Sequence, residues 1–225
     1  FMTHVKNEED WYLFDPAECS DLHDTYGPKF SKLYRHYKKM ADEGDIKNFE
    51  KIPAKDLWKK SLKSLFETGH PWVTFKDPSN IRYSNKHAGV VHSSNLCTEI
   101  LLHTKPTVYN EGEVIERGET AVCNLASVNL SNHIKVRTID WKKLQKTVEI
   151  AVRGLDNVIN LNFYPTEEAR NSNIKNRPIG LGVMGTHDML HKLGVNYDSP
   201  EAVALCDKVQ EFISLHAIKT SSLLA

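Results

Sequence analysis

Ser93-Ser-Asn-Leu-Cys-Thr-Glu-Ile100 is the stretch around which the rest of this chain is read. Asn95, Cys97 and Glu99 stand at i, i+2 and i+4. In an extended segment alternate side chains project to one side. An amide, a thiol and a carboxylate are therefore expected on one wall, with Leu96, Thr98 and Ile100 between and beside them. An amide donor, a sulfur and a base so arranged can hold a polyol while a proton and a hydrogen atom are taken from it. The spacing alone is a weak signal, since a lone cysteine is ordinarily an inert buried thiol.

A second segment, Ala121-Val-Cys-Asn-Leu-Ala-Ser-Val-Asn-Leu130, adds the context. Ser94-Asn-Leu-Cys-Thr-Glu-Ile100 followed by Cys123-Asn-Leu-Ala-Ser127 resembles the catalytic large subunit of ribonucleotide reductase, most like the aerobic class I type. Phe1-Met-Thr-His-Val5, Trp11-Tyr-Leu-Phe-Asp-Pro16, Glu67-Thr-Gly-His-Pro71 and Arg177-Pro-Ile-Gly-Leu-Gly-Val183 fit in the same order, so the resemblance runs through nearly the whole chain. It implies an α/β fold, part of a ten-stranded α/β barrel with a central finger loop carrying the radical cysteine. Residues 1–225 are then the central part of one large catalytic barrel domain. Helical segments are expected at about 28–69, the finger loop and redox cysteine at about 77–130, and a helix–strand–helix region at about 140–225. Residue 1 is Phe, and the last residues, Ser221 to Ala225, read as helix interior. A piece of a longer chain, truncated at both ends, is the expectation.

The resemblance also implies roles. Cys97 matches the radical cysteine that abstracts the 3′-hydrogen of a ribonucleotide. Glu99 matches the base that takes the 3′-hydroxyl proton, and Asn95 the residue that orients the sugar hydroxyls. Ser94, Leu96 and Thr98 complete the substrate-binding stretch. Cys123 matches one of two cysteines that supply reducing equivalents; its partner in the family lies upstream of residue 1, and neither Cys19 nor Cys206 occupies that position. The implied activity is reduction of ribonucleoside diphosphates to 2′-deoxyribonucleotides for DNA precursor synthesis. No cofactor or metal is expected on this chain. The radical is expected from a metal-containing small subunit and the electrons from an external thiol reductant, thioredoxin or glutaredoxin. ATP and dNTP effectors are expected at sites elsewhere in the full-length protein, which is expected to be a homodimer of large subunits. The chain alone is expected to be inactive. Two alternatives stand beside this: a cobalamin-dependent class II reductase, and a non-catalytic or split-gene fragment that works only when assembled with a second chain.

Composition fits a cytoplasmic globular protein. Of 225 residues 40% are hydrophobic and 26% charged, and Lys+Arg 29 balances Asp+Glu 29, so net charge advertises neither nucleic acid nor an acidic membrane. No apolar run approaches the roughly 20 residues of a membrane span, and no leader pattern is visible. The four cysteines make no C-x-x-C pair and no disulfide framework. A zinc site from Cys97, Cys123, His92 and His103 lacks the usual ligand spacing. Cys19, in a polar stretch, reads as an incidental exposed or half-buried thiol, and Cys206 as a packing residue.

Periodicity supplies the elements. Helical spacing of apolar residues predicts helices over 28–41, 53–68 and 141–160, the last capped by Asp140. Ser199-Pro200-Glu201 is a helix start. The basic face Lys32, Arg35, His36, Lys38 and Lys39 reads as a solvated helix surface. Trp72 to Phe75 reads as a buried strand, and 77–85 and 171–176 as polar turns or loops. Lys105 to Gly118 reads as a loop or hairpin, and Ala121 to Leu130 as a strand. Pro178 to Gly185 reads as a buried strand, its Gly180-x-Gly182-x-x-Gly185 matching a dinucleotide fingerprint only superficially. Strands alternating with long helices predict a parallel sheet.

Overall fold

In the computed structural model, which describes residues 1–225, the chain forms two units with separate cores, Phe1–Thr104 and Lys105–Ala225. The first unit contains α1 (Met2–Asn7), β1 (Asp10–Phe14), a 3₁₀ turn at Ser20–Leu22, α2 (Gly27–Glu43), β2 (Phe49–Pro53), α3 (Ala54–Thr68) and α4 (Lys76–Arg82). β1 and β2 pair antiparallel, from Asp10↔Pro53 to Phe14↔Phe49. Its core is aromatic. Trp11 stacks on Tyr34 at 4.2 Å, and Tyr12 on Phe49 at 5.6 Å. The Tyr34 hydroxyl accepts from the Tyr12 N–H at 2.7 Å, and burial pushes its pKa up to about 12. The helix predicted over 28–41 is α2, with Pro28 in the first turn, where a missing N–H breaks no helical bond.

Outside the Ser94–Ile100 stretch, four sequence expectations fail in this unit, each for a physical reason. Cys19 is buried, because its N–H and that of Glu18 both turn back onto the Asp15 carbonyl and fold the thiol into the aromatic core. Trp72 to Phe75 forms no strand and is exposed, Trp72 by 58% and Phe75 by 57%. A β-prone run describes side chains suited to a pleated, half-buried surface, and no strand pairs with this one. The turn predicted over 77–85 is largely α4, which accommodates Pro78 in its first turn. α3 covers the predicted span, but its apolar stripe is only half covered: Leu57 and Trp58 are half-buried, whereas Phe66 is 93% exposed.

The second unit contains β3 (Val108–Asn110), β4 (Glu113–Glu116), β5 (Asn124–Asn129), β6 (Ile134–Lys135), β7 (Thr138–Ile139), α5 (Trp141–Leu161), α6 (Glu167–Asn176), β8 (Ile179–Met184), α7 (Thr186–Leu193) and α8 (Pro200–Leu224). β3 and β4 make a hairpin of the stretch read as a loop or hairpin, and β6 pairs with β7 in a shorter one. β5 and β8 pair in parallel, from Asn124↔Ile179 to Asn129↔Met184. α5 and α6 make the crossover between them, as parallel strands require. α5 starts on the expected cap, the Asp140 carboxylate accepting from Lys143 N–H at 3.0 Å. Its buried stripe is Leu144, Val148, Val152, Leu155 and Ile159. Burying such side chains stabilises by about 1.5–3 kcal/mol each. Val158, though apolar, lies off that stripe and is 40% exposed. α8 starts on Ser199, whose hydroxyl accepts from Ala202 N–H, and Cys206 packs on the core as read.

Residues 171–176, expected as a polar loop, form the second half of α6. Thr166 caps that helix by accepting from Ala169 N–H, and Glu167 and Glu168 sit at its positive end. The polar residues Ser172 and Asn173 are turned inward, and the Asn173 amide donates to the Tyr164 hydroxyl. β8 is a strand as predicted but a half-exposed one, Met184 being 53% exposed. The parallel sheet predicted from alternation is confined to this pair. The eight strands form four two-stranded ladders, so the fold is mixed α/β, and no closed barrel of ten strands is formed by these residues.

Candidate active site

The stretch Ser94–Ile100 is not extended. The Thr98 N–H donates to the Asn95 carbonyl at 3.2 Å, closing a reverse turn, and Thr98 has φ 66°, in the left-handed region. The Asn95 side-chain oxygen accepts from the Ile100 N–H at 3.1 Å, and the Ser94 hydroxyl donates to the Asn95 carbonyl at 3.1 Å. Strand alternation therefore does not bring Asn95, Cys97 and Glu99 onto one wall. A hydrogen-bonded turn carries them, and all three are exposed. Leu96, at 75% exposed, and the half-buried Thr98 complete it.

What holds this turn lies at its two limbs. On the outgoing limb, the buried Asn80 side chain of α4 donates to the Val91 carbonyl and accepts from the Val91 N–H, both at 2.9 Å. That amide serves the Val91 peptide as a neighbouring strand would. On the returning limb, His103 is 2% exposed with its Nδ1 2.8 Å from the Tyr83 hydroxyl. The limbs meet where Thr104 N–H donates to the Val90 carbonyl at 3.4 Å. Gly89 permits this approach, since a Cβ there would lie 2.8 Å from the His103 ring. Asn80, Tyr83 and Thr104 were not marked as functional from the sequence, and His92 and His103 only as rejected zinc ligands. The signal available was polar residues on both sides of an apolar approach to the motif.

Cys123 belongs to the second unit, immediately before β5. It is half-buried, its Sγ 3.7 Å from the Asn124 carbonyl. The chain leading to it is held from several sides. Glu119 pairs with Lys105 through both backbone bonds, at 2.9 and 3.0 Å. Its carboxylate, 2% exposed, accepts from Lys175 Nζ at 2.5 Å and Asn176 Nδ2 at 2.7 Å, both on α6. Thr120 N–H donates to the Glu168 carbonyl, and the Asn171 amide donates to the Gly118 carbonyl. Gly118 is required by close approach: a Cβ there would lie 2.4 Å from the Lys105 carbonyl oxygen. A backbone hydrogen bond, and then hydrogen bonds from Arg117 and Thr107, hold the pKa of the Glu168 carboxylate below the usual range.

Elsewhere, no group of three or more His, Cys, Asp or Glu side chains has a geometry suited to a metal ion. A groove of about 580 Å³ between α5 and α8, lined by Lys146, Arg153 and Lys219 among others, contains none of the residues singled out from the sequence. No helix is long and apolar enough to cross a membrane.

Comparison with known proteins shows the family. The family described as ribonucleotide reductase, barrel domain, matches residues 1–225. The chain is 52% identical over its full length to the ribonucleoside-diphosphate reductase subunit alpha of Chlamydia muridarum, covering 20% of that protein. It is 40% identical to the subunit alpha of Helicobacter pylori strain J99, covering 33%, and 38% identical to the large subunit of Arabidopsis thaliana, covering 28%. The chain thus spans a fifth to a third of the length of these relatives.

Proposed function

The chain belongs to the ribonucleotide reductase family, and from that premise we propose that it forms the part of a ribonucleoside-diphosphate reductase large subunit that holds the radical-bearing sulfur. The observation that carries this is an exposed Cys97 on a turn clamped at both limbs, between Asn95 and Glu99, in a chain that matches the barrel domain from end to end. A sulfur that must meet a substrate carbon has to be accessible and held still, and a pinned turn provides both.

In this reading the Cys97 thiyl radical takes the 3′-hydrogen, breaking that carbon–hydrogen bond and forming S–H. Glu99 accepts the 3′-hydroxyl proton, as a carboxylate within hydrogen-bond reach can. The 2′-hydroxyl leaves as water with one proton. A dithiol made of Cys123 and a second cysteine of the complete protein supplies two electrons and two protons and becomes a disulfide. Cys97 returns the 3′-hydrogen and is again a radical. The net change is ribonucleotide plus dithiol to 2′-deoxyribonucleotide, disulfide and water. Asn95 has a definite part in this. Its side-chain oxygen is already committed to the Ile100 N–H, so the amide Nδ2–H₂ is the group it offers to a sugar hydroxyl. Ser94, Leu96 and Thr98 belong to the same substrate-facing turn.

The partners follow from the same reading. A small radical-generating subunit with its own metal starts the reaction, and thioredoxin or glutaredoxin reduces the disulfide again. ATP and dNTPs act at sites elsewhere in a homodimeric large subunit. The compartment is the cytoplasm, where a transient catalytic disulfide is the ordinary use of such a pair. The relatives named as alpha or large subunits favour this over a single-chain cobalamin enzyme. The complete polypeptide should turn over with a metal-containing small subunit and not with adenosylcobalamin.

The decisive variants are made in the complete polypeptide. Cys97→Ser is expected to abolish deoxyribonucleotide formation while leaving nucleotide binding intact. Cys123→Ser is expected to allow radical chemistry on the substrate but to block multiple turnovers. Sustained turnover by Cys97→Ser overturns the mechanism.

A further inference from the structure

His92 makes a contact that the reaction as described does not use. It lies on the outgoing limb of the excursion that carries Cys97, and its ring is 2.7 Å through Nδ1 from the Thr104 hydroxyl on the returning limb. Through Nε2 it is 2.7 Å from an Asp24 carboxylate oxygen. The ring also stacks on His23, at 4.3 Å with an interplanar angle of 2°, and only 10% of its side chain is exposed. His92 therefore ties one limb to the other, and both to the segment around Ser20–Asp24. The Asp24 carboxylate only accepts, so Nε2 carries a proton. In the neutral ring Nδ1 then accepts from the Thr104 hydroxyl.

We propose that the His92–Thr104 hydrogen bond is a positioning contact that sets the height of the Cys97 turn above the substrate. The turn is internally bonded from Ser94 to Ile100. Slippage of one limb along the other would shift Cys97, and the His92–Thr104 bond opposes that slippage from a side-chain direction, alongside the backbone bond between Thr104 and Val90. Hydrogen transfer needs reacting atoms about 3–3.5 Å apart, and a shift of about 1 Å costs on the order of a hundredfold in rate. The inference rests on the reading of Cys97 as the sulfur that takes the 3′-hydrogen.

Glutamine reproduces the position of histidine Nε2 and asparagine that of Nδ1, which separates the two bonds His92 makes. In the complete reductase with its radical-generating subunit, Thr104→Val and His92→Gln are expected to lower kcat by about ten- to a hundredfold with KM nearly unchanged. The isotope effect from substrate deuterated at the 3′ carbon is expected to rise in both. Thr104→Ser and His92→Asn are expected to stay near wild type. Equal activity of Thr104→Val and Thr104→Ser overturns the proposal, as does a fall in kcat matched by loss of substrate affinity and thermal midpoint. If Cys97→Ser keeps turning over, the reading of Cys97 itself has failed. If Cys97→Ser is inactive while Thr104→Val is silent, only the positioning role has failed.

Discussion

The two sulfurs singled out in this chain are held in opposite ways. Cys97 sits at the tip of an exposed turn whose order comes from side chains at its limbs: Asn80 on Val91, Tyr83 on His103, His92 on Thr104. Cys123 sits half-buried at the entrance to a parallel ladder, and the chain before it is fixed by backbone bonds and a buried carboxylate. On the proposed reading, the sulfur that meets the substrate stands clear of any sheet and takes its rigidity from the base of its turn. The sulfur proposed to pair with another thiol stands at the entrance to the parallel ladder.

The largest expected effect tests the second arrangement. Glu119→Ala leaves Lys175, Lys105 and Asn176 facing a vacated buried site. Breaking a buried ion pair costs about 3–5 kcal/mol, and here the lower end applies, since both lysines reach solvent. The loss should appear as weakened hydrogen-exchange protection of the Lys105 and Glu119 amides, with the Val91 amide unaffected. Loss of protection at Val91 as well would erase the distinction between the two regions.

A smaller effect is expected at the limb of the turn. Asn80→Ala leaves the buried Val91 N–H and carbonyl without the partners they now have, at about 1 kcal/mol for each group, the lower end of the range, since the space vacated by the amide admits water. Hydrogen exchange should then rise at Val91 while the amides of β5 stay protected. Unchanged protection at Val91 would show that the limb is held by something other than this amide.

The smallest effect is a pH dependence confined to the turn's base. Burial, and then the neighbouring His92 and Lys76, push the His23 pKa below its ordinary value, against a weaker opposite pull from Asp24. The fold thus favours neutral His23. This contribution is complete above the ordinary histidine value of about 6.5 and is lost as pH falls from there toward the folded value. Protection of the Thr104 amide, relative to the intrinsic exchange rate at each pH, is expected to fall in that window. A response centred at alkaline pH would contradict it.

Much of this arrangement was legible in the sequence, and the failures have a common cause. α2, α5 and α8 were readable because each writes its own period and its own cap: Pro28 in a first turn, Asp140 on Lys143, Ser199 on Ala202. The hairpin and β5 were readable from polarity and β-propensity. α6 was missed because its inward face is polar, with Ser172 and Asn173 buried and the Asn173 amide donating to the Tyr164 hydroxyl. The strand expected at Trp72 to Phe75 failed because propensity names side chains suited to a sheet and cannot supply the neighbouring strand. At the site, Asn95, Cys97 and Glu99 drew attention by residue type and spacing, but their roles, and the choice of Cys123, came from the family resemblance. The geometry inferred for the first three was not legible, since a period-two argument holds only if the backbone is extended.

The sequence by itself determined which chemical groups are present, which family the chain resembles and where its long helices begin. Those are local properties, set by residue type, capping and spacing within a few turns of chain. The tertiary structure alone decided that Asn95 to Thr98 is a turn, that His92 meets Thr104 across its base and Asp24 beside it, and that Glu119 is buried against α6. Those contacts join residues far apart along the chain, and which of the many polar groups pair is settled only when packing excludes water and leaves each with the neighbours that can satisfy it.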